Sequence, residues 1–409
     1  MKKTPDKPKL LQLPKLPPLK KEASTIIVLV VSAVIFVVAL FVAHSGEAKD
    51  TGSLFWVYGT ETIDFEAATV NEIVGEDMAL DEATEGSYSG SQELAVTIDT
   101  GTYAGKQLTA YNYFGAISGS PVEVGDGVTL TVKTHPNGDV STTVYEINRI
   151  PFLIGFLILF FIVVVLVGGL TGLQSLIGLA FTCVCLFAIL IPMLLKGAPT
   201  IPTTFVMCAY ISLVCFTILG GVHRKTVGAF LGTVAGTFLA MVFGLGAQFL
   251  GKIDGLRLED VEPLYQLAVY EGIPIGMEGL LVASIIICAL GAVMDVAMSI
   301  ASALEEIHAA NPKLTQKELF KSGMNVGRDM AGTMTNTLIL AFLGSELTLM
   351  IFLYARDLSF YHLFSTAFVS LETIAGLSSS IGMILAIPLT ALISSMLITR
   401  GSKEEQSRK

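Results

Sequence analysis

The chain has 409 residues, 52% of them hydrophobic and 15% charged, with a mean hydropathy of +0.69 and a formal net charge of −10. Soluble domains carry about 25% charged residues, so this composition excludes an ordinary soluble enzyme and a disordered tail protein. The negative balance excludes a nucleic-acid binder, because it repels phosphate backbones.

Residues 1–24 carry seven Lys against two acids and the prolines Pro5, Pro8, Pro14, Pro17 and Pro18. They are expected as a disordered basic tail near anionic lipid headgroups. Residues 25–43 form the first span, an uncleaved signal anchor. Phe41 argues against cleavage after Ala43, while cleavage after Ala48 stays open.

Residues 44–149 predict an extracytoplasmic β domain. Leu94, Val96 and Ile98 alternate with polar residues, as do Val128, Leu130 and Val132, and this period of two marks half-buried strands. Val144 and Ile147 follow less regularly. Gly125-Asp126-Gly127 is turn chemistry, and His135-Pro136-Asn137-Gly138-Asp139 joins two strands as a hairpin. About five strands over residues 69–148 point to a small barrel of OB or SH3 type.

Residues 150–399 predict a membrane domain of seven further helices, because about 20 apolar residues cross a hydrocarbon core about 30 Å thick. Spans at 150–170, 173–195, 200–222 and 226–250 carry no formal charge. The span at 279–303 carries Asp295, the span at 330–354 carries Glu346, and the last lies at 378–399. The apolar stretch 363–375 with Glu372 is a candidate re-entrant or interfacial helix, since Gly376, the serines at 378–380 and Gly382 can break it. The loop 304–329 opens a short helix with the capping box Thr315-Gln316-Lys317-Glu318, whose Leu319, Phe320 and Met324 would lie along a membrane interface. Gly228, Gly232 and Gly236 have the spacing of a helix-packing face. Residues 400–409 form a second basic tail.

The fold class is therefore an all-α polytopic membrane bundle of about eight helices, with a small all-β barrel between the first and second. Charge sets its orientation. Residues 44–149 hold 4 basic and 17 acidic residues and the loop 251–278 holds 2 and 6, whereas both tails and His223-Arg224-Lys225 are basic. Both termini are expected in the cytoplasm of a bacterial cell, with the chain in its inner membrane.

No catalytic constellation is found. There is no Walker A lysine, HExxH or GxSxG, and His44 and His135 stand without a paired Cys or acid. The five Cys (183, 185, 208, 215 and 288) lie in apolar runs at spacings that suit neither zinc, redox chemistry, a disulfide framework nor a lipoprotein anchor. No cofactor, metal or enzymatic activity is expected.

The chemistry lies in the membrane. Asp295 shares one helical stripe with Cys288, Gly291, Ser299, Ser302 and Glu306, all small or polar, and such a stripe faces protein or water rather than lipid. The next span offers Asp329, Thr333 and Asn336 on one face, with Thr337 beside them. Counting inward from Ala303 and Met330 sets Asp295 near the depth of Asn336 and Thr337, with Glu346 outside that layer. A membrane acid costs about 2.5–3.5 kcal/mol on insertion scales, so it requires a partner or a water path. Two readings stay open: polar groups that only hold helices together, or an ion- or proton-linked site. Glu305, Glu306, Arg328 and Asp329 would form a cytoplasmic cluster at its exit.

The segments GAVMDVAMSIASALEEI and SGMNVGRDMAGTMTNTLILAFLGSELTLMIF, with GKQLTAYNYFGA and VEVGDGVTL in the β domain, resemble the YibE/F family of bacterial multi-pass membrane proteins. That resemblance implies an anchor, an extracytoplasmic β domain and seven further spans. A second resemblance is to the SecD/SecF and RND permease signature. There a membrane Asp is followed by a Glu pair, here Glu305 and Glu306, and then by a span rich in Thr and Asn. The present chain differs in having seven spans after a much smaller domain. Together these readings suggest an ion-gradient-coupled transporter or permease. Its partners would be the lipid bilayer, H+ or Na+, and a small substrate, with Asp295, Ser299, Thr333, Asn336, Thr337 and Glu346 as coupling candidates. The alternative is a non-transporting scaffold or assembly factor whose β domain binds an extracytoplasmic protein.

Overall fold

A computed structural model describes residues 21–45, 62–80, 86–135, 139–257, 261–270, 272–356 and 359–406. The chain forms two compact units. One lies within residues 46–167, and the other joins the first helix to the residues from Gly168 onward. The N-terminal basic tail, the possible cleavage point at Ala48 and the hairpin tip 136–138 lie outside the described residues.

In the first unit, strands β1 (Thr62–Leu80), β2 (Tyr88–Ile98), β3 (Gln107–Phe114), β4 (Gly127–Thr134) and β5 (Val140–Ile147) close a barrel in the order β1-β2-β3-β5-β4. All neighbours are antiparallel except β3 and β5. Of the two expected barrel types this is the OB arrangement. The alternating residues Leu94, Val96, Ile98, Val128, Leu130 and Val132 all have no exposed surface and form its core. Strand β1 begins at Thr62, ahead of the expected start at 69. Its first half pairs with β4 and its second with β2, with register shifts at Val70/Glu72 and Ile73/Gly75. Such bulges bend a strand, which lets one long strand close a small barrel. The β4–β5 hairpin is antiparallel, with Thr134 opposite Val140.

One end of the barrel is tied by buried amides. Gln92 Nε2 donates to the Val122 carbonyl at 3.1 Å, and its Oε1 accepts from Val122 N at 3.0 Å and from Asn112 Nδ2 at 3.1 Å. Asn112 Nδ2 also donates to the Ser120 carbonyl at 3.0 Å. The loop before β4 is thereby fastened across β2 and β3.

The helical unit contains α1 (Lys21–His44), α3 (Ile191–Leu195), α4 (Thr200–Gly220), α5 (Arg224–Gly251), α6 (Val261–Tyr270), α7 (Leu280–Ala310), α8 (Gln316–Ser345), α9 (Leu347–Ala355), α10 (Phe360–Ser365) and α11 (Ala367–Gln406), while α2 (Ile150–Val184) runs from one unit into the other. Among the described residues, six helices are long and apolar enough to cross a membrane, or seven if the bent pair α8–α9 counts as one span. The expected spans 150–170 and 173–195 are carried by a single helical run, Ile150–Leu195, interrupted by non-helical backbone at Gly169 (φ 57, ψ −137). Glycine takes that φ without a side-chain clash. At about 1.5 Å per residue its 46 residues hold enough helix for two crossings of a hydrocarbon core about 30 Å thick, one on each side of Gly169.

Two sequence expectations are corrected. Helix α11 does not break at Gly376, the serines or Gly382: it runs unbroken from Ala367, so the interruption falls before it, between α10 and α11. The Ser380 hydroxyl donates to the Gly376 carbonyl of its own helix at 2.8 Å, which satisfies the hydroxyl without leaving the helix. Gly382 is a packing residue: a Cβ there would lie 2.4 Å from the Ala240 Cβ. Likewise the Thr315 capping box is formed, but it opens the 30-residue helix α8 rather than a short interfacial one. Leu319 is fully buried in the bundle core, with Phe320 and Met324 packed against the same cluster.

Helices α5, α7 and α11 form the close-packed centre. Gly228, Gly232 and Gly236 on α5 face Ser394, Thr390 and Ala386 on α11, where added Cβ atoms would lie 2.4, 2.1 and 2.5 Å from their nearest neighbours. These three glycines therefore serve packing, as their spacing implies.

Two predictions follow from packing alone. Gln92→Leu removes the only side-chain partner of the buried Val122 amide, at a cost of about 1–3 kcal/mol, so residues 62–147 expressed alone should keep a β-type circular dichroism spectrum but melt lower than the unsubstituted barrel. Gly232→Leu should overpack the α5–α11 seam by at least about 1–3 kcal/mol and lower the melting temperature of the purified chain. Gly246→Ala, which meets nothing within 4 Å, should leave it unchanged or raise it.

Candidate functional site

The faces of α7 divide sharply. Leu281, Ile285, Ala289, Val293, Val296, Ile300 and Leu304 are buried in the cluster shared with α11, and Val282, Ile286 and Leu290 are buried against α4. The opposite side carries the stripe read from the sequence: Cys288, Gly291, Asp295, Ser299 and Glu306 are exposed, and Ser302 is half-buried. Among the described residues none donates a hydrogen bond to Asp295. A Cβ added at Gly291 would meet nothing within 4 Å, so the space beside Asp295 is open.

Helix α8 crosses α7 antiparallel. Gly327 faces Ile300, and Gly323 faces Leu304. Continuing that register places Asp295 level with Gly332 and Thr333, and Gly291 level with Asn336. The count from helix ends sets Asp295 near Asn336 and Thr337, and the register of the glycine crossing, carried along ideal helices, brings it within about one turn of them. Thr333, Asn336 and Thr337 are all exposed on α8. The threonine hydroxyls donate within their own helix, Thr333 to the Met330 carbonyl at 3.1 Å and Thr337 to the Thr333 carbonyl at 3.0 Å. Thus the polar residues of α7 and α8 are exposed on their own helices, and no hydrogen bond joins the two sets among the described residues.

Of the expected exit cluster, Glu305 is drawn away. Its carboxylate pairs with Lys225 Nζ at 3.1 Å, tying α7 to the start of α5. Glu306, Arg328 and Asp329 are exposed.

Glu346 occupies the joint between α8 and α9, where the chain bends by 65°. With Glu372 on α11 it lines a cavity of about 740 Å³, whose remaining wall is mostly apolar. The sequence reading names Glu372 in the stretch 363–375 but not among the coupling candidates, although an acid inside an apolar stretch carries the same signal as Asp295.

The other buried polar seam has no such room. Thr233, Thr390 and Ser394 are fully buried at the α5–α11 contact without hydrogen-bond partners, but the glycines opposite are in van der Waals contact. All five cysteines are free. Among the described residues, no three His, Cys, Asp or Glu side chains come together as a metal site.

No curated protein and no solved structure matches this chain. The family model for YibE/F-like proteins matches residues 156–400, from the second helix to the end of the last span. The match covers Asp295, both membrane glutamates and more than half of the sequence, and the chain is a multi-pass membrane protein of the YibE/F-like family.

Proposed function

We propose that this protein is an ion-gradient-coupled transporter or permease in which Asp295 is the coupling carboxylate. The observation that carries the reading is the exposed small-and-polar stripe on α7. A formal acid in hydrocarbon costs about 2.5–3.5 kcal/mol, and small residues give lipid little to pack against. An aqueous route along the exposed stripe and the exposed Thr333–Asn336 face of α8 would spare that cost. A carboxylate on such a route takes up and releases H+ or Na+ as its access changes. Gly291 and Ser299 leave room on either side of it, and Asn336 and the threonines provide further oxygen atoms along the wall. Glu346 and Glu372 mark one end of the route; Glu306 and Asp329 mark the other.

The charge partition of the sequence supports a cell-membrane location with both termini in the cytoplasm and residues 44–149 outside. The Glu346–Glu372 end then faces outward and the Glu306–Asp329 end inward.

A second reading, a scaffold whose barrel binds an extracytoplasmic protein, is favoured by one observation. Tyr111 and Tyr113 stack at 6.4 Å between centroids on the outer face of β3 and are 44% and 65% exposed. Exposed aromatic pairs suit a protein partner.

Reconstitution separates the two. In proteoliposomes under an imposed pH or sodium gradient, Asp295→Asn should abolish ion flux at least tenfold without altering elution on size exclusion. Full flux in that variant would leave Asp295 a packing residue and remove the coupling reading. If the scaffold reading holds, Tyr111→Ser with Tyr113→Ser should instead reproduce the null phenotype while Asp295→Asn is silent. Orientation is checked in intact cells. A membrane-impermeant maleimide should label Thr100→Cys directly and Ser402→Cys only after permeabilisation; labelling of the latter from outside contradicts the topology.

A further inference from the structure

A second cavity, of about 670 Å³, lies where α1, α2 and α4 meet the start of α5. Leu29 of α1, Ile177 of α2 and Ile218 of α4 give it an apolar wall, and Gln174, His223 and Lys225 give it a polar edge. Three candidate membrane spans end beside it. The α1 span begins at Ser24, the α4 span closes at Gly220 and the α5 span opens at Arg224. The cavity therefore sits at a boundary of the hydrocarbon core, at the level of lipid headgroups.

The α4–α5 turn that edges it is held by its own bonds. Gly221 takes a φ of 64°, which glycine adopts without a clash. Val222 N donates to Thr25 Oγ1 at 3.0 Å, and His223 Nδ1 donates to the Gly220 carbonyl at 2.7 Å. His223 gives α5 no side-chain cap, so the amides of Arg224, Lys225 and Thr226 have no acceptor within the helix and carry the positive end of its dipole. Thr226 is 4% exposed, and its hydroxyl has no hydrogen-bond partner among the described residues. That hydroxyl is aimed at Gly220, part of the cavity wall, where a Cβ would lie 2.9 Å from it. Arg224 is exposed, and Lys225 shares its charge with Glu305.

Each occupant can be weighed against that wall. A free inorganic anion suits the amides and cations but leaves Leu29, Ile177 and Ile218 against water. A zwitterionic lipid covers the apolar wall, but Arg224 and Lys225 repel its ammonium. A phospholipid of net negative charge meets both halves. Its phosphate lies on the start of α5, where free amides and the dipole attract anions. Basic residues at the headgroup level add to that attraction, and an acyl chain covers the apolar wall.

We propose that the cavity at the α4–α5 turn binds an anionic phospholipid, with its phosphate at Arg224–Thr226 and a chain along α1 and α2. The proposal does not depend on the transport reading, and binding is measurable without transport.

The test is thermal unfolding of the purified full chain in detergent with added dioleoyl phosphatidylglycerol, dioleoyl phosphatidylcholine or inorganic phosphate. Phosphatidylglycerol should raise the melting temperature saturably, and the other two should not. In Arg224→Gln the phosphatidylglycerol concentration at half-saturation should rise about fivefold, as expected for the loss of one cation near an anionic headgroup. In Lys317→Gln, at the exposed start of α8, it should stay unchanged. Equal stabilisation by phosphatidylcholine overturns the proposal and leaves an apolar recess for any lipid. Equal stabilisation by phosphate alone overturns it in favour of a soluble-anion site. An unchanged half-saturation in Arg224→Gln, or an equal rise in Lys317→Gln, also overturns it and leaves only general surface charge. The comparison of the three additives needs no variant, so it holds even if Arg224→Gln misfolds.

Discussion

A carboxylate in the middle of a membrane helix organises everything around it, because hydrocarbon offers it neither hydrogen bonds nor counter-charge. Asp295 stands on α7, whose other sides are filled by Ile285, Val293, Ile300 and Leu304 against α11 and by Ile286 and Leu290 against α4. The helix is thereby held in one rotation, and that rotation turns Cys288, Gly291, Asp295 and Ser299 outward together. Rotating α7 to hide Asp295 would break the packing of a full row of aliphatic side chains against α11 and α4, and in lipid such close packing, rather than removal from water, is what holds a helix in place. The open face is thus a consequence of the core.

The rigidity behind that face comes from glycine. Along α5, one glycine per turn lets α11 approach until backbone meets side chain, and Gly382 repeats the device from the α11 side. Close contact of this kind is how membrane helices associate when burial of apolar surface gives no advantage over lipid. Opposite this block, α8 meets α7 closely only at Gly323 and Gly327. Beyond that crossing its residues become exposed, and at Glu346 the helix ends in a sharp bend.

Much of the fold was legible in the sequence, and the misses share a cause. Strict alternation at Leu94–Ile98 and Val128–Val132 identified barrel strands, since a half-buried strand leaves no other pattern. The Thr315–Glu318 box marked a helix start to the residue. The α7 stripe was legible because every member is small or polar. What failed was the meaning of small residues in apolar runs. Gly376, Ser380 and Gly382 could break a helix or allow another to approach, and only the presence of α5 and of Phe342 in space decides for approach. Gly169, in a similar run, does break the helix, with nothing packed against it. The cavity was not legible at all: Glu346 and Glu372 are 26 residues apart in sequence and meet only because α8–α9 bends and α10–α11 folds back.

The contrast between a glycine-locked block and a bent, half-packed α8–α9 pair bears on where a change of access can occur. Interfaces in which backbone already touches side chain have no intermediate position and resist gradual sliding. The α5–α7–α11 block is such an interface, and the first half of α8 belongs to it, since Cβ atoms at Gly323 and Gly327 would lie 3.0 and 2.1 Å from Ala391 and Ile387; under the proposed coupling role, a change of access to Asp295 falls to the second half of α8 and to α9. Their bend is capped at Glu346, where the last α8 carbonyls and the first α9 amides lack full helical partners and are held by fewer bonds than a continuous helix would supply. The residue at that joint is itself a cavity carboxylate. Its charge and the geometry of the bend therefore bear on the same few backbone groups, and under the proposed role a ligand could shift the bend only by contacting two bend angles differently. Asp295, on a helix packed against both α4 and α11, would stay fixed in that role, and the less packed end of α8 would supply the movement.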